Sequence, residues 1–163
     1  MFTFEKILII VSILGSGLIA GVFYGFSTFI MKALGRLPAN EGIAAMQSIN
    51  ITVINPLFLG VFLGTGLLCA ALIVMSLLNW HGTSSIILIA GSILYIVGCL
   101  AVTMLLNVPL NNELAAVNTT DPKSVEVWTR YLSDWTFWNS IRTAASLACS
   151  AMLAVALVYL RTE

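Results

Sequence analysis

Between Glu41 and Glu113 the chain contains no Asp, Glu, Lys or Arg, and His81 is the only ionisable side chain there apart from Tyr and Cys. Soluble domains carry roughly a quarter charged residues. Here 9% of the 163 residues are charged, 60% are hydrophobic and the mean hydropathy is +1.02. A charge-free stretch of that length has to cross a bilayer at least twice. A second one runs from Ile7 to Met31, too long for the apolar core of a signal peptide, and reads as a retained helix. Seven basic residues balance seven acidic ones, so no net charge draws nucleic acid, which is excluded as a partner.

The breaks between apolar runs divide the chain into four spans. The first, Phe4 to Leu34, ends where Lys32, Arg36, Gly35 and Pro38 mark the membrane exit. Its Gly17, Gly21 and Gly25, spaced by four, predict a seam where another helix packs closely. A short amphipathic helix near Glu41 to Asn50 follows, and Asn55–Pro56 marks a kink or the start of the second span, Pro56 to Leu78, where Gly60 and Gly64 repeat the small-residue signal. Asn79 to Gly82 form a tight turn with an interfacial Trp80, in which a lone His81 is most simply solvated. The third span, Ser84 to Leu106, runs into NVPLNNEL; if the helix survives Pro109, Asn107 and Asn111 share a face. Asp121–Pro122 reads as an N-cap and first helical residue. A helix from there to Leu160 would be about 58 Å long against a hydrocarbon core of about 30 Å, so its first third lies outside lipid or bends along the interface. The predicted fold is all-α: a four-transmembrane-helix bundle, a short interfacial helix between spans 1 and 2, an extended fourth helix, and one domain over residues 1–163. Cys69, Cys99 and Cys149 sit inside apolar runs with no CxxC pairing, which predicts packing residues and no metal site.

Polar and aromatic chemistry concentrates in WTRYLSDWTFWNSIR. At about 3.6 residues per turn, Trp128, Tyr131, Trp135, Trp138, Asn139 and Arg142 fall on one stripe. Four antiparallel spans bring Gln47, Asn50, Asn55, Asn107, Asn111 and Asn112 to the same membrane side as that stripe, while the other side offers only His81, Trp80 and the termini. If Trp135 marks the interface, Arg142 is rooted about 10 Å deeper, where burying a guanidinium costs about 3 kcal/mol even on lenient scales. Two readings account for it. Arg142 snorkels to the polar side and ties helices together through asparagine carbonyls; or it closes a cavity walled by Trp135 or Trp138, within hydrogen-bond reach of Asn107, Asn111, Asn50 or Asn55, suited to a flat oxygenated aromatic.

The segments AGVFYGFST, AAMQSIN followed by NPLF, TMLLNVPLN, and W…Y…DWTFWNSIRT resemble the anthrone oxygenase-like family of small four-helix membrane proteins, over nearly the whole chain. The resemblance implies a membrane oxidoreductase acting on a lipophilic aromatic, anthrone-like or quinol-like, with molecular oxygen as co-substrate and no metal or flavin cofactor. Set against this chain's own residues, that chemistry would use Arg142, assisted by Asn139 and Asn107, at the developing oxyanion, and Trp135, Trp138, Trp128, Tyr131, Asn111, Asn50, Asn55 and Gln47 to hold the substrate. A general base is harder to find, since Asp134 and Glu113, the nearest carboxylates, lie off the stripe. The alternative is a non-catalytic membrane protein that binds or carries a small hydrophobic ligand. The expected partners are the bilayer and that ligand; assembly into a homo-oligomer stays open. Lys32, Arg36, Lys123 and Arg130 outnumber Lys6 and Arg161, which places the polar site in the cytoplasm.

Overall fold

The computed structural model describes residues 2–119, 121 and 123–160. Four helices are long and apolar enough to cross a bilayer, the mark of an integral membrane protein: α1 (Phe4–Leu34), α3 (Pro56–Leu78), α4 (Gly82–Ala115) and α5 (Ser124–Tyr159). Between the first two lies α2 (Ala39–Thr52), longer than the predicted interfacial piece. Such helices satisfy their own backbone groups, which hydrocarbon demands. Pro122, predicted as the first residue of the last helix, lies outside the described residues; Asp121 accepts from the Lys123 amide at 2.9 Å and α5 starts at Ser124.

Local sequence explains each boundary. Asn55 caps α3, its Oδ1 accepting from the Phe58 amide at 3.0 Å, and Pro56 occupies the first turn, where its missing N–H costs nothing. The turn into α4 places Gly82 at φ +46°, a conformation glycine adopts without a steric penalty. Beyond the predicted end at Leu106, α4 continues through Pro109 to Ala115. Proline removes one amide donor and crowds the carbonyl four residues earlier. The helix meets this with a wide π turn over Thr103–Asn107, immediately before the proline. Similar wide turns occupy Ile96–Ala101 in α4 and Phe26–Ile30 in α1.

α5 is the central element, packed along both α1 and α4. Its buried residues, among them Trp128, Tyr131, Trp135, Asn139, Arg142, Ser146, Cys149 and Leu153, recur at intervals of three and four and face two cores. The first, in the apolar half, gathers Ile19, Phe23, Phe62, Cys69, Leu72, Tyr95, Cys99, Cys149 and Leu153. All three cysteines are free and buried there. The second gathers Met31 and Leu34 of α1, Ile43 and Met46 of α2, Leu114 of α4, and Trp128, Tyr131 and Trp135 of α5. The first third of α5 is therefore covered by α2 and by the ends of α1 and α4.

The predicted glycine seam holds at Gly17, where a Cβ would lie 3.5 Å from Ser150 Oγ of α5, and is corrected at the other positions. A side chain at Gly21, Gly60 or Gly64 would meet nothing within 4 Å. The tight crossings are elsewhere: a Cβ at Gly15 would fall 2.1 Å from Thr65 Oγ1, and one at Gly98 would fall 2.5 Å from the Cβ of Ala145. Spacing by four identifies a stripe of small residues, but which stripe meets a neighbour depends on how the helix is rotated.

Candidate functional site

Arg142 is 4% exposed, and the helix rotation that buries Trp135 and Asn139 carries it inward with them. Its guanidinium lies 4.1 Å from the ring centre of Phe23 and 5.1 Å from that of Trp135. Cations held over aromatic faces gain about 2 kcal/mol when desolvated, which offsets part of the burial cost. One terminal nitrogen donates to Asn139 Oδ1 at 2.7 Å and the other to Thr103 Oγ1 at 3.2 Å. The Nε–H finds no acceptor among the described residues. No carboxylate pairs with the guanidinium among them either, since Glu113 is bonded to Arg130.

Asn139 is fully buried, and its amide nitrogen donates to the Phe23 carbonyl and to Ser27 Oγ, each at 2.7 Å. This fixes the amide so that its oxygen faces Arg142. The bonds reach α1 just where the wide turn begins at Phe26.

The guanidinium forms part of the wall of a cavity of about 360 Å³. Phe23 and Phe26 of α1, Met46, Ile49 and Asn50 of α2, and Phe58 and Phe62 of α3 line it. Thr103, Met104, Val108 and Asn111 of α4 and Trp135 of α5 line it too, with Ile54 just before α3 and Leu63 within it. The wall is mostly apolar with a few polar groups, at the lower end of the roughly 300–1,000 Å³ of small-molecule sites. Among the described residues, no Asp, Glu, His or Lys lines it. Among the described residues, no three His, Cys, Asp or Glu side chains gather as a metal site would require.

The structure brings some of the sequence candidates to this cavity and sets others around it. Arg142, Trp135, Asn111 and Asn50 line it. Tyr131 stands behind them: its hydroxyl and the Trp135 Nε1 both donate to Asn111 Oδ1 at 2.8 Å. Trp128 stacks on Tyr131 with ring centres 5.7 Å apart, buried under Gly42. Asn107 is buried behind Trp135 and does not line the cavity, its amide donating to the Trp135 carbonyl at 3.1 Å and its oxygen without a donor among the described residues. Gln47 ties α2 to the carbonyls of Leu114 and Val117, and Asn55 is spent on its helix cap.

Two expectations are corrected. Trp138 leaves the stripe: it is partly exposed and packs edge-on against Phe137, outside the cavity. The amide that meets Arg142 is Asn139, one turn back on the same helix, and none of Asn107, Asn111, Asn50 or Asn55. Those four are committed to Trp135, Tyr131 and the helix cap.

Sequence reasoning missed Phe23, Phe26, Phe58, Phe62 and Met104 as cavity walls. Phe58 and Phe62, one turn apart and stacked at 5.6 Å, look like any apolar pair in a span. Thr103 carried a weak signal, a hydroxyl near the end of an apolar run at the depth of the arginine.

Four helices able to span a membrane thus enclose a mostly apolar cavity with a buried cation in its wall and, among the described residues, no acidic side chain lining it. The family model described as anthrone oxygenase matches residues 58–152, more than half the chain, and the protein belongs to that family. The matched stretch covers most of α3, all of α4 and most of α5, including Thr103, Trp135, Asn139 and Arg142. No curated protein and no solved structure matches the chain.

Proposed function

We propose that the protein oxidises a flat lipophilic aromatic carrying a CH₂ activated by a ring carbonyl, as in an anthrone, using molecular oxygen. The observation that carries this reading is the Arg142 guanidinium held over Phe23 and Trp135 in the cavity wall, its Nε–H without an acceptor among the described residues. Loss of a proton from the CH₂ puts negative charge on the carbonyl oxygen and electron density on the ring carbon. Arg142 stabilises that oxyanion from a mostly apolar wall, where the attraction is stronger than in bulk water. The electron-rich carbon reduces O₂ and forms a C–O bond to it, and the resulting hydroperoxide loses water to leave a second carbonyl. Anthrone and O₂ thus become the quinone and H₂O, with both electron pairs taken up by oxygen and no cofactor consumed.

Each remaining residue has a part in this reading. Trp135, Phe23, Phe58 and Phe62 clamp the rings. Asn50 and Asn111 face the polar end. Asn139 positions the guanidinium, and Asn107 positions Trp135. With no carboxylate or imidazole in the wall, the proton leaves to water, and the arginine serves to make the substrate more acidic. Oxygen uptake on adding anthrone to purified protein in lipid nanodiscs tests the reading. Wild type is expected to consume one O₂ per anthrone, and Arg142→Ala to fall to the rate of empty discs; equal rates in wild type and empty discs would refute it. The lack of a base in the cavity favours a second reading, a protein that binds or carries the same ligand without oxidising it. Binding without uptake would select it.

The excess of basic residues beside the polar end further supports a cytoplasmic site, with both termini on the opposite side. A reporter fused after Glu163 is then expected to be active outside the cytoplasm. A cytoplasmic signal reverses the orientation and leaves the bundle unchanged.

A further inference from the structure

The cavity wall is uneven. At its polar end it is closed: Met46 of α2 is fully buried, Gln47 fastens α2 to the Leu114 and Val117 carbonyls, and Asn111 gathers Tyr131 and Trp135 beneath. On one side it is open. α3 packs along the first two thirds of α4, as far as Ala101, but beyond that point the two helices barely meet. The residues bordering this gap line the cavity while standing well exposed: Ile54 is 70% exposed, Leu63 49% and Met104 60%. Leu63 and Met104 belong to apolar spans, so that exposure is to hydrocarbon. The gap lies at the depth of the guanidinium, because Met104 directly follows Thr103, whose hydroxyl accepts from Arg142. Every side chain along its rim is apolar, and the polar groups lie behind it.

We propose that the cavity is loaded sideways from the bilayer, through the gap between the start of α3 and residues 103–108 of α4, and that its ligand is a molecule already dissolved in the membrane. The inference rests on the reading of the cavity as a ligand site and adds the route and the class of ligand. An aromatic head that slides in between Leu63 and Met104 meets Arg142 without crossing water. An alkyl substituent on that head stays in lipid, so tailed aromatics are accepted despite the small volume.

The test uses the full chain in vesicles and 9,10-anthraquinone predissolved in the membrane. Association is followed by stopped-flow quenching of tryptophan fluorescence, with Trp135 reporting from the cavity wall. Leu63→Phe combined with Met104→Phe narrows the gap from both sides, and each single variant carries the test if the pair does not fold. Leu67→Phe, more exposed to lipid than either and outside the cavity, is the control. The expected result is association slowed at least 10-fold in the double variant and at least 3-fold in either single one, dissociation slowed in proportion, and the control unchanged. Wild-type association rates in the narrowed variants, with quenching intact, would overturn the sideways route alone. Absence of quenching in wild type would overturn the ligand site and the route together.

Discussion

Replacing Arg142 with Met is expected to weaken binding of an oxygenated aromatic by about 10–100-fold, the usual worth of a hydrogen bond from a charged donor in a buried site. The protein is expected still to insert and fold. Methionine is compatible with a helix and fills similar space, and removing a buried cation without a counter-charge is often neutral or stabilising. The substitution leaves Asn139 Oδ1 without its donor, at a cost of about 1–3 kcal/mol. Thr103 is less affected, since its hydroxyl still donates to the Cys99 carbonyl. Titration of tryptophan quenching by anthraquinone, with a melting curve on the same sample, separates the two effects. Lost binding at near-normal stability supports the cavity; wild-type affinity would return Arg142 to a purely structural role.

The largest effect on stability is expected at Gly98. A Cβ there would lie 2.5 Å from the Cβ of Ala145, one turn past Arg142, and neither atom is the movable end of a flexible side chain. Gly98→Val must therefore push α4 and α5 apart along the seam that also holds Thr103 against Arg142. Overpacking of this kind costs about 1–3 kcal/mol, a fall in melting temperature of about 2–12 °C for a chain of this size. Gly21→Val, at a position where a side chain meets nothing within 4 Å, is expected to change it by about 1 °C or less. Thermal unfolding in detergent compares the two, and similar losses in both would mean that the α4–α5 crossing is not close at Gly98.

These two glycines show where the sequence could be read and where it could not. Span number and limits follow from hydropathy and from Gly35, Pro38, Asn55–Pro56 and Gly82, because lipid leaves so few options for backbone polar groups. The rotation of each helix does not follow. The four-residue spacing of Gly17, Gly21 and Gly25 marks a stripe that lipid and a neighbouring helix accept equally well. Three wide turns, at Phe26–Ile30, Ile96–Ala101 and Thr103–Asn107, also shift every face computed from a uniform 3.6-residue period.

At the cavity, the dense polar and aromatic pattern from Trp128 to Arg142 points inward because a guanidinium in an apolar span needs shelter. Its stripe is narrower than the period suggests: Trp135 and Asn139 enter and Trp138, between them, does not. The asparagines near Arg142 in the folded chain could all have met it, and only the packing shows that Asn107 and Asn111 are committed to Trp135 and Tyr131. Phe23, Phe58 and Phe62 carry no mark in the sequence, since an apolar residue lining a cavity looks like one facing lipid.

Isotope labelling tests the central reading most directly. Purified protein in nanodiscs is given anthrone under ¹⁸O₂, and the quinone is weighed by mass spectrometry. The account predicts protein-dependent quinone carrying one ¹⁸O at the new carbonyl, with the other atom of O₂ released as water, and no such product above background from Arg142→Met. Quinone formed no faster than in empty discs, or formed faster but with the new oxygen drawn from water, would contradict it.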